Sequence, residues 1–213
     1  MRLYLSSLDL GDTPAELVAL APRGRVALIM NALDGDEASR GMWRATETDA
    51  LQALGFTVDE LDLRRFFGDA AGLRTALAGF DMVWINGGNT FVLMRAMRLS
   101  GFDRIITDRL AEDSIVYGGF SAATVAATPS LRGIEAVDDP NEVPEGYPSE
   151  IVWDGLGLVP FRVAVHYRSD HPESADVERE IAFYEREGLA YRTLRDGQVL
   201  IVSDAVEKVR LVG

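Results

Sequence analysis

The sequence predicts an α/β protein: a doubly wound, mostly parallel sheet with helices on both faces. Two observations carry this. Short apolar runs alternate with longer amphipathic stretches along most of the chain, and strand–helix alternation implies right-handed crossovers and parallel strands. The run RVALIM (25–30) is almost continuously apolar, the pattern of a strand covered on both faces.

The elements follow in order. Asp12-Thr13-Pro14 caps and opens a helix through Leu20, with proline at a position where its missing N–H costs nothing. RVALIM is the next strand. DEASRGMWRATETDALQALG (36–55) reads as a helix closed by a glycine suited to its C-terminus. FTVDELDL (56–63), DMVWIN (81–86) and SIVYGG (114–119) read as strands, and NTFVLMRAMRLSG (89–101) as a helix that ends on glycine. The stretch 133–160 breaks the rhythm with four prolines and many carboxylates, and is expected to be a surface excursion. The last block, 191–213, reads as two or three strands with a hairpin turn at Asp196-Gly197. No repeat, low-complexity tract or linker divides the chain, so one domain spanning 1–213 is expected.

Composition narrows the function. Asp and Glu number 34 against 21 Lys and Arg, a net charge of −13. Such a surface repels nucleic acid and anionic membranes and points to small molecules or peptides as partners. There is no cysteine, which removes disulfides, thiolate catalysis and cysteine metal sites. The single lysine, Lys208, stands in no P-loop and no plausible Schiff-base context. No apolar run approaches the roughly 20 residues of a membrane span, and the N-terminus turns polar too soon for a secretory signal. A cytoplasmic protein without a cofactor is expected. Two histidines five positions apart in a loop are too few for a zinc site.

In open parallel sheets ligands sit at the carboxyl ends of the strands. Three loops leave strands there: NGGNT (86–90), GGFSAAT (118–124) and HYRSDH (166–171). The order strand, Gly-Phe-Ser-Ala-Ala, helix is the context of a nucleophile elbow, which makes Ser121 a candidate nucleophile and the Ala122 amide a candidate oxyanion donor. A serine needs a base, and the chain has only His166 and His171. His166 directly follows the apolar run FRVAV and is expected at a strand end near Ser121; His171, before Pro172, is expected in solvent. Seven carboxylates lie between Ser121 and His166, any of which could orient the imidazole. Gly88 offers a second oxyanion amide. NGGNTF lacks the third glycine of a dinucleotide fingerprint.

Together, NGGNTFVL (86–93), YGGFSAATVAATPSLRG (117–133), DDPNEVP (138–144) and GLGLVPFRVAVHYRSDHPES (155–174) resemble the peptidase E (aspartyl dipeptidase) and cyanophycinase family of serine peptidases. The resemblance implies a flavodoxin-like fold similar to class I glutamine amidotransferases. It also implies Ser121 as nucleophile, His166 as base, and the Gly88 and Ala122 amides as the oxyanion hole. Asp138, in an Asp-x-Pro stretch, would be the acid, with Glu135 as its rival; Asn89 and Arg168 are the substrate-binding candidates. The implied activity is cleavage of short peptides, as a dipeptidase or aminopeptidase, by a monomer or homodimer. Ala123 stands where the family has glycine, and the acidic stretch departs from the aspartyl-specific pattern. The competing reading is a non-catalytic amidotransferase-like domain that binds a small ligand or partner in the same pocket.

Overall fold

The computed structural model describes residues 1–21, 24–203 and 209–213. A seven-stranded sheet forms the centre, in the order β3-β2-β4-β5-β1-β8-β9. Its strands are β1 (Arg2–Ser6), β2 (Arg25–Ile29), β3 (Thr57–Glu60), β4 (Met82–Ile85), β5 (Val116–Phe120), β8 (Val199–Ser203) and β9 (Val209–Val212). The first five run parallel, while β8 lies antiparallel to β1 and β9 antiparallel to β8. The doubly wound parallel arrangement is therefore present, with a reversed strand pair added at one edge.

Alternate residues of each strand enter two different cores. Leu3, Leu5, Ala27, Ile29, Val83, Ile85 and Tyr117 pack on one face with helices α3 (Ala70–Leu77), α4 (Thr90–Ser100), α5 (Phe102–Ala111) and α6 (Ala122–Ala126). Tyr4, Val26, Leu28, Met82, Trp84 and Val116 pack on the other with Leu17 of α1 (Pro14–Leu20) and Leu51 of α2 (Glu37–Ala53). Burial of both faces explains why β2 and β4 read as unbroken apolar runs. Among the described residues no helix is long and apolar enough to cross a membrane.

The C-terminal third departs from expectation. β6 (Arg162–Ala164) and β7 (Tyr191–Thr193) form a separate parallel pair, linked by α7 (Ser174–Arg186). β6 cannot join the main sheet beside β1, because β1 already pairs with β5 and β8. The expected hairpin at Asp196-Gly197 is likewise absent: β7 and β8 belong to different sheets, and this turn carries the chain from one to the other. The hairpin partners are β8 and β9, and the chain joining them falls partly outside the described residues.

The excursion 133–160 is irregular, as expected, but not loose. Its own Tyr147, Leu158 and Val159 are buried. Arg95 of α4, 1% exposed, donates to three of its carbonyls: Nε to Glu150 O at 2.9 Å, Nη1 to Glu142 O at 3.0 Å and Nη2 to Pro140 O at 2.6 Å. A guanidinium presents a rigid fork of donors that suits such a task. Replacing Arg95 by methionine keeps the bulk and removes all three bonds. The expected cost is about 3 kcal/mol, read by urea unfolding, with faster proteolysis inside 138–150.

Candidate active site

Ser121 follows β5 on a backbone strained to φ 49°, ψ −110°. Two bonds hold it: its amide points at the carbonyls of Ser6 and Ser7 at the end of β1, each at 3.2 Å. Thr124 Oγ1, one helical turn on, also donates to Ser6 O at 2.7 Å. The turn is crowded. A side chain on Gly119 would bring its Cβ within 2.3 Å of Ile85 O and 2.6 Å of Ala123 Cβ. Alanine at 123 is fully buried and fits here, its carbonyl accepting from Tyr117 OH at 2.7 Å.

His166 leaves β6 with φ 56° and turns its ring toward Ser121. Nε2 lies 3.2 Å from Ser121 Oγ, and Nδ1 lies 2.7 Å from Asp196 Oδ1. Burial pushes the imidazole pKa down from 6.5; the hydrogen bond to Asp196 opposes that shift and the neighbouring His171 adds to it. The resting ring is a neutral base.

Asp196, not Asp138 or Glu135, is the carboxylate on the histidine. Asp138 Oδ2 instead accepts from the Thr90 amide at the start of α4 at 2.9 Å, and burial raises its carboxyl to about 7. Glu135 Oε2 accepts from the Gly133 amide at 2.6 Å within its own turn. The geometry corrects both expectations, because each of these acids is committed to a local backbone amide.

A further residue ties the group together. Ser7, fully buried, accepts the His166 amide on its hydroxyl at 2.9 Å and donates to Asp196 Oδ1 at 2.8 Å. Asp196 N in turn donates to Ser169 Oγ at 2.8 Å. Neither Ser7 nor Asp196 was expected from the sequence. The available signal was the direction of β8: a strand antiparallel to β1 begins at the edge where the parallel strands end, so the residues just before it face the same site.

Of the other expected residues, Gly88 lines the cavity beside Ser121. It has φ 128°, and a Cβ there would stand 2.7 Å from Ala32 O, so only glycine lets this loop pass. Ala122 is the first residue of α6, and its amide has no intrahelical acceptor. Asn89 is not free for a ligand. Its Oδ1 caps α4 by accepting from Phe91 and Val92, and its Nδ2 donates to Asp139 O and Glu142 Oε2. Arg168 is mostly exposed, and its Nε reaches Glu178 Oε1 at 3.3 Å rather than the cavity. His171 is not in open solvent: its ring stacks on His166, centroids 3.7 Å apart and 7° from parallel.

The cavity measures about 140 Å³ and is lined by Leu8, Leu33, Trp43, Asn86, Gly87, Gly88, Phe120, Ser121, His166, His171 and Glu173. His166, His171 and Glu173 bring potential ligand atoms within 4.8 Å of one another. The two rings are parallel, however, so their lone pairs do not converge as tetrahedral zinc requires. A neutral imidazole beside a strained hydroxyl, oriented by a carboxylate, is the constellation of nucleophilic acyl transfer.

The profile of peptidase family S51 matches residues 25–210. An uncharacterized peptidase of Listeria monocytogenes is 31% identical over 121 residues, 56% of this chain and 55% of that protein. A probable alpha-aspartyl dipeptidase of Drosophila melanogaster is 33% identical over 176 residues, 80% of this chain and 67% of that protein. A Listeria monocytogenes protein described as a candidate peptidase E has a crystal structure that superposes with a TM-score of 0.80 at 22% identity, covering 99% of this chain and 97% of that one. This last likeness establishes the fold.

Below the site, α7 buries Glu180, whose Oε1 accepts from Tyr184 OH at 2.6 Å. Burial holds this carboxyl at about 8, whereas an unfolded glutamate titrates near 4.3. The folded state therefore keeps a proton that the unfolded chain releases, and stability falls as pH rises toward 8. Urea midpoints of the wild type are expected to fall from pH 6.5 to 8.5. Those of Glu180→Gln, which cannot ionise, are expected to fall less.

Proposed function

The chain belongs to peptidase family S51, and from that premise we propose that it hydrolyses short peptides through an acyl-enzyme on Ser121, with His166 as base and Asp196 as the acid that orients it. The observation that carries this reading is the continuous chain Ser121 Oγ, His166 Nε2, His166 Nδ1, Asp196 Oδ1, with links of 3.2 and 2.7 Å.

The steps follow from the geometry. A scissile carbonyl enters the cavity beside Ser121. His166 Nε2 takes the hydroxyl proton as Oγ attacks, and Asp196 stabilises the imidazolium that forms. The amides of Gly88 and Ala122 receive the developing oxyanion. The imidazolium then gives its proton to the leaving amine, and water repeats the sequence to release the acyl group. The cavity is smaller than the roughly 300–1,000 Å³ of sites that hold drug-sized ligands, which supports one residue, not an extended chain, on the acyl side. The name of the Drosophila relative supports dipeptides as the substrate class. Two oriented backbones at positive φ, at Ser121 and His166, favour chemistry over a passive binding role, since strain of about 1–3 kcal/mol per residue persists only where the surroundings enforce it.

A fluorophosphonate probe tests the reading. Wild type is expected to label and Ser121→Ala not to. Asp196→Asn is expected to slow labelling by about 10³- to 10⁴-fold, the loss that follows when an imidazole is held in the wrong tautomer. Asp138→Asn is expected to label within a few-fold of wild type; the reverse ranking of the two aspartates would reject Asp196. The labelling rate is also expected to rise with pH along a limb centred below 6.5 and then level off, because the base must be unprotonated and burial lowers its pKa.

A further inference from the structure

We propose that Glu173 anchors the α-ammonium group of the substrate and that the apolar lining of the same cavity receives the first side chain, so that the preferred substrates are short peptides with a free N-terminus and an apolar first residue. The proposal rests on the assignment of Ser121 as nucleophile and adds to it the chemistry of what is cleaved.

The cavity is electrostatically one-sided. Of the residues that line it, Glu173 is the only carboxylate, and no lysine or arginine lines it among the described residues. Arg168, the nearest arginine in sequence, faces Glu178 instead. The Glu173 carboxylate has no hydrogen-bond donor among the described residues. Its closest cationic candidate is His171 Nδ1 at 3.9 Å. That nitrogen is already occupied, since it accepts from the Glu173 backbone amide at 3.3 Å. The carboxylate is half-buried at the head of α7, in a residue that lines the cavity. Asn86, 2% exposed and lining the same cavity, leaves its Oδ1 without a partner, which adds a second unpaired acceptor to this wall.

The distances suit an N-terminal residue. In a peptide the α-nitrogen lies two bonds from the carbonyl carbon, about 2.5 Å away given bonds of about 1.46 and 1.52 Å. An acid that holds it must therefore stand one residue's breadth from the nucleophile. The Glu173 carboxylate and a ring nitrogen of His166 fall within 4.8 Å of each other, and His166 Nε2 is 3.2 Å from Ser121 Oγ. The remaining lining is apolar: Leu8, Leu33, Trp43 and Phe120, with Trp43 and Phe120 tilted against each other at 6.1 Å. An aspartyl first residue would place a second carboxylate beside Glu173 with no cation to meet it. A neutral apolar side chain meets no such cost.

The test compares Leu-Leu, N-acetyl-Leu-Leu and Asp-Leu as substrates, with fluorophosphonate labelling run alongside. Wild type is expected to cleave Leu-Leu at least roughly tenfold better in kcat/KM than the acetylated peptide, and better than Asp-Leu. Glu173→Gln is expected to shrink the preference for the free amine by roughly ten- to a hundred-fold, the worth of a hydrogen bond to a charged group; Glu173→Asp is expected to restore part of it. Equal cleavage of the free and acetylated peptides by wild type overturns the proposal, whatever the variants do. So does a preference for Asp-Leu, or an unchanged ratio in Glu173→Gln. If the wild type also fails to label, the assignment of Ser121 falls too; labelling without discrimination sinks this proposal alone.

Discussion

Ser7, buried at the end of β1, holds Ser121, His166 and Asp196 in register. It accepts the backbone N–H of His166 and donates to the carboxylate of Asp196, while the Ser7 and Ser6 carbonyls receive the amide of Ser121. Three segments, 121, 166 and 196, reach the site from different elements, and each is bonded to the end of β1. A hydroxyl suits this position because it can accept and donate at once. β1 can serve as the post because it lies inside the sheet, paired along its full length with β5 on one side and β8 on the other. A strand so placed is among the last parts of a fold to open, so the groups it anchors share the rigidity of the whole sheet.

That anchoring matters because the proposed nucleophile and base sit in costly backbone conformations. Ser121 and His166 both have positive φ without being glycine, and neither would hold that shape alone. At Ser121 the strain is balanced by the paired carbonyls of β1 and by neighbours small enough to let the turn close. At His166 it is balanced by Ser7 and by the face of His171. The stacked ring does more than fill space. Burial of the imidazole lowers its pKa, the hydrogen bond to Asp196 opposes that, and the charge of the neighbouring His171 adds to the lowering.

Much of this was legible in the letters, for physical reasons. The strands buried on two faces announced themselves as apolar runs, and the strand–Gly–Gly–Phe–Ser–helix order marked Ser121 because few other uses of that crowded turn exist. With only two histidines, the imidazole that stands beside Ser121 followed from its place after FRVAV. Asp196 was hidden for equally definite reasons. An aspartate before glycine has the composition of an ordinary turn, and its value at the site depends on β8 running backwards, a property of the sheet and not of the local sequence. Asp138 looked right because it precedes a proline at a familiar distance from the serine, yet the Thr90 amide at the start of α4 claims it. β1 was illegible as the keystone of the site: MRLYLSS is short and half polar, and its two serines are buried only because the main-chain and triad partners around them accept and donate.

The second sheet also explains how one small cavity can treat its two charges differently. β6 and β7 stand apart from the main sheet and bring His166, His171 and the head of α7 over the carboxyl ends of β4 and β5 as a lid of polar groups. Below that lid the main sheet contributes backbone amides, apolar side chains and the neutral side chains of Asn86 and Ser121, with no formal charge. On the mechanism proposed above, an oxyanion formed at Ser121 would face N–H dipoles from the main sheet, whereas a cationic group entering from solvent would meet the carboxylate of Glu173. In a medium of low polarizability such a division is worth far more than it would be in water.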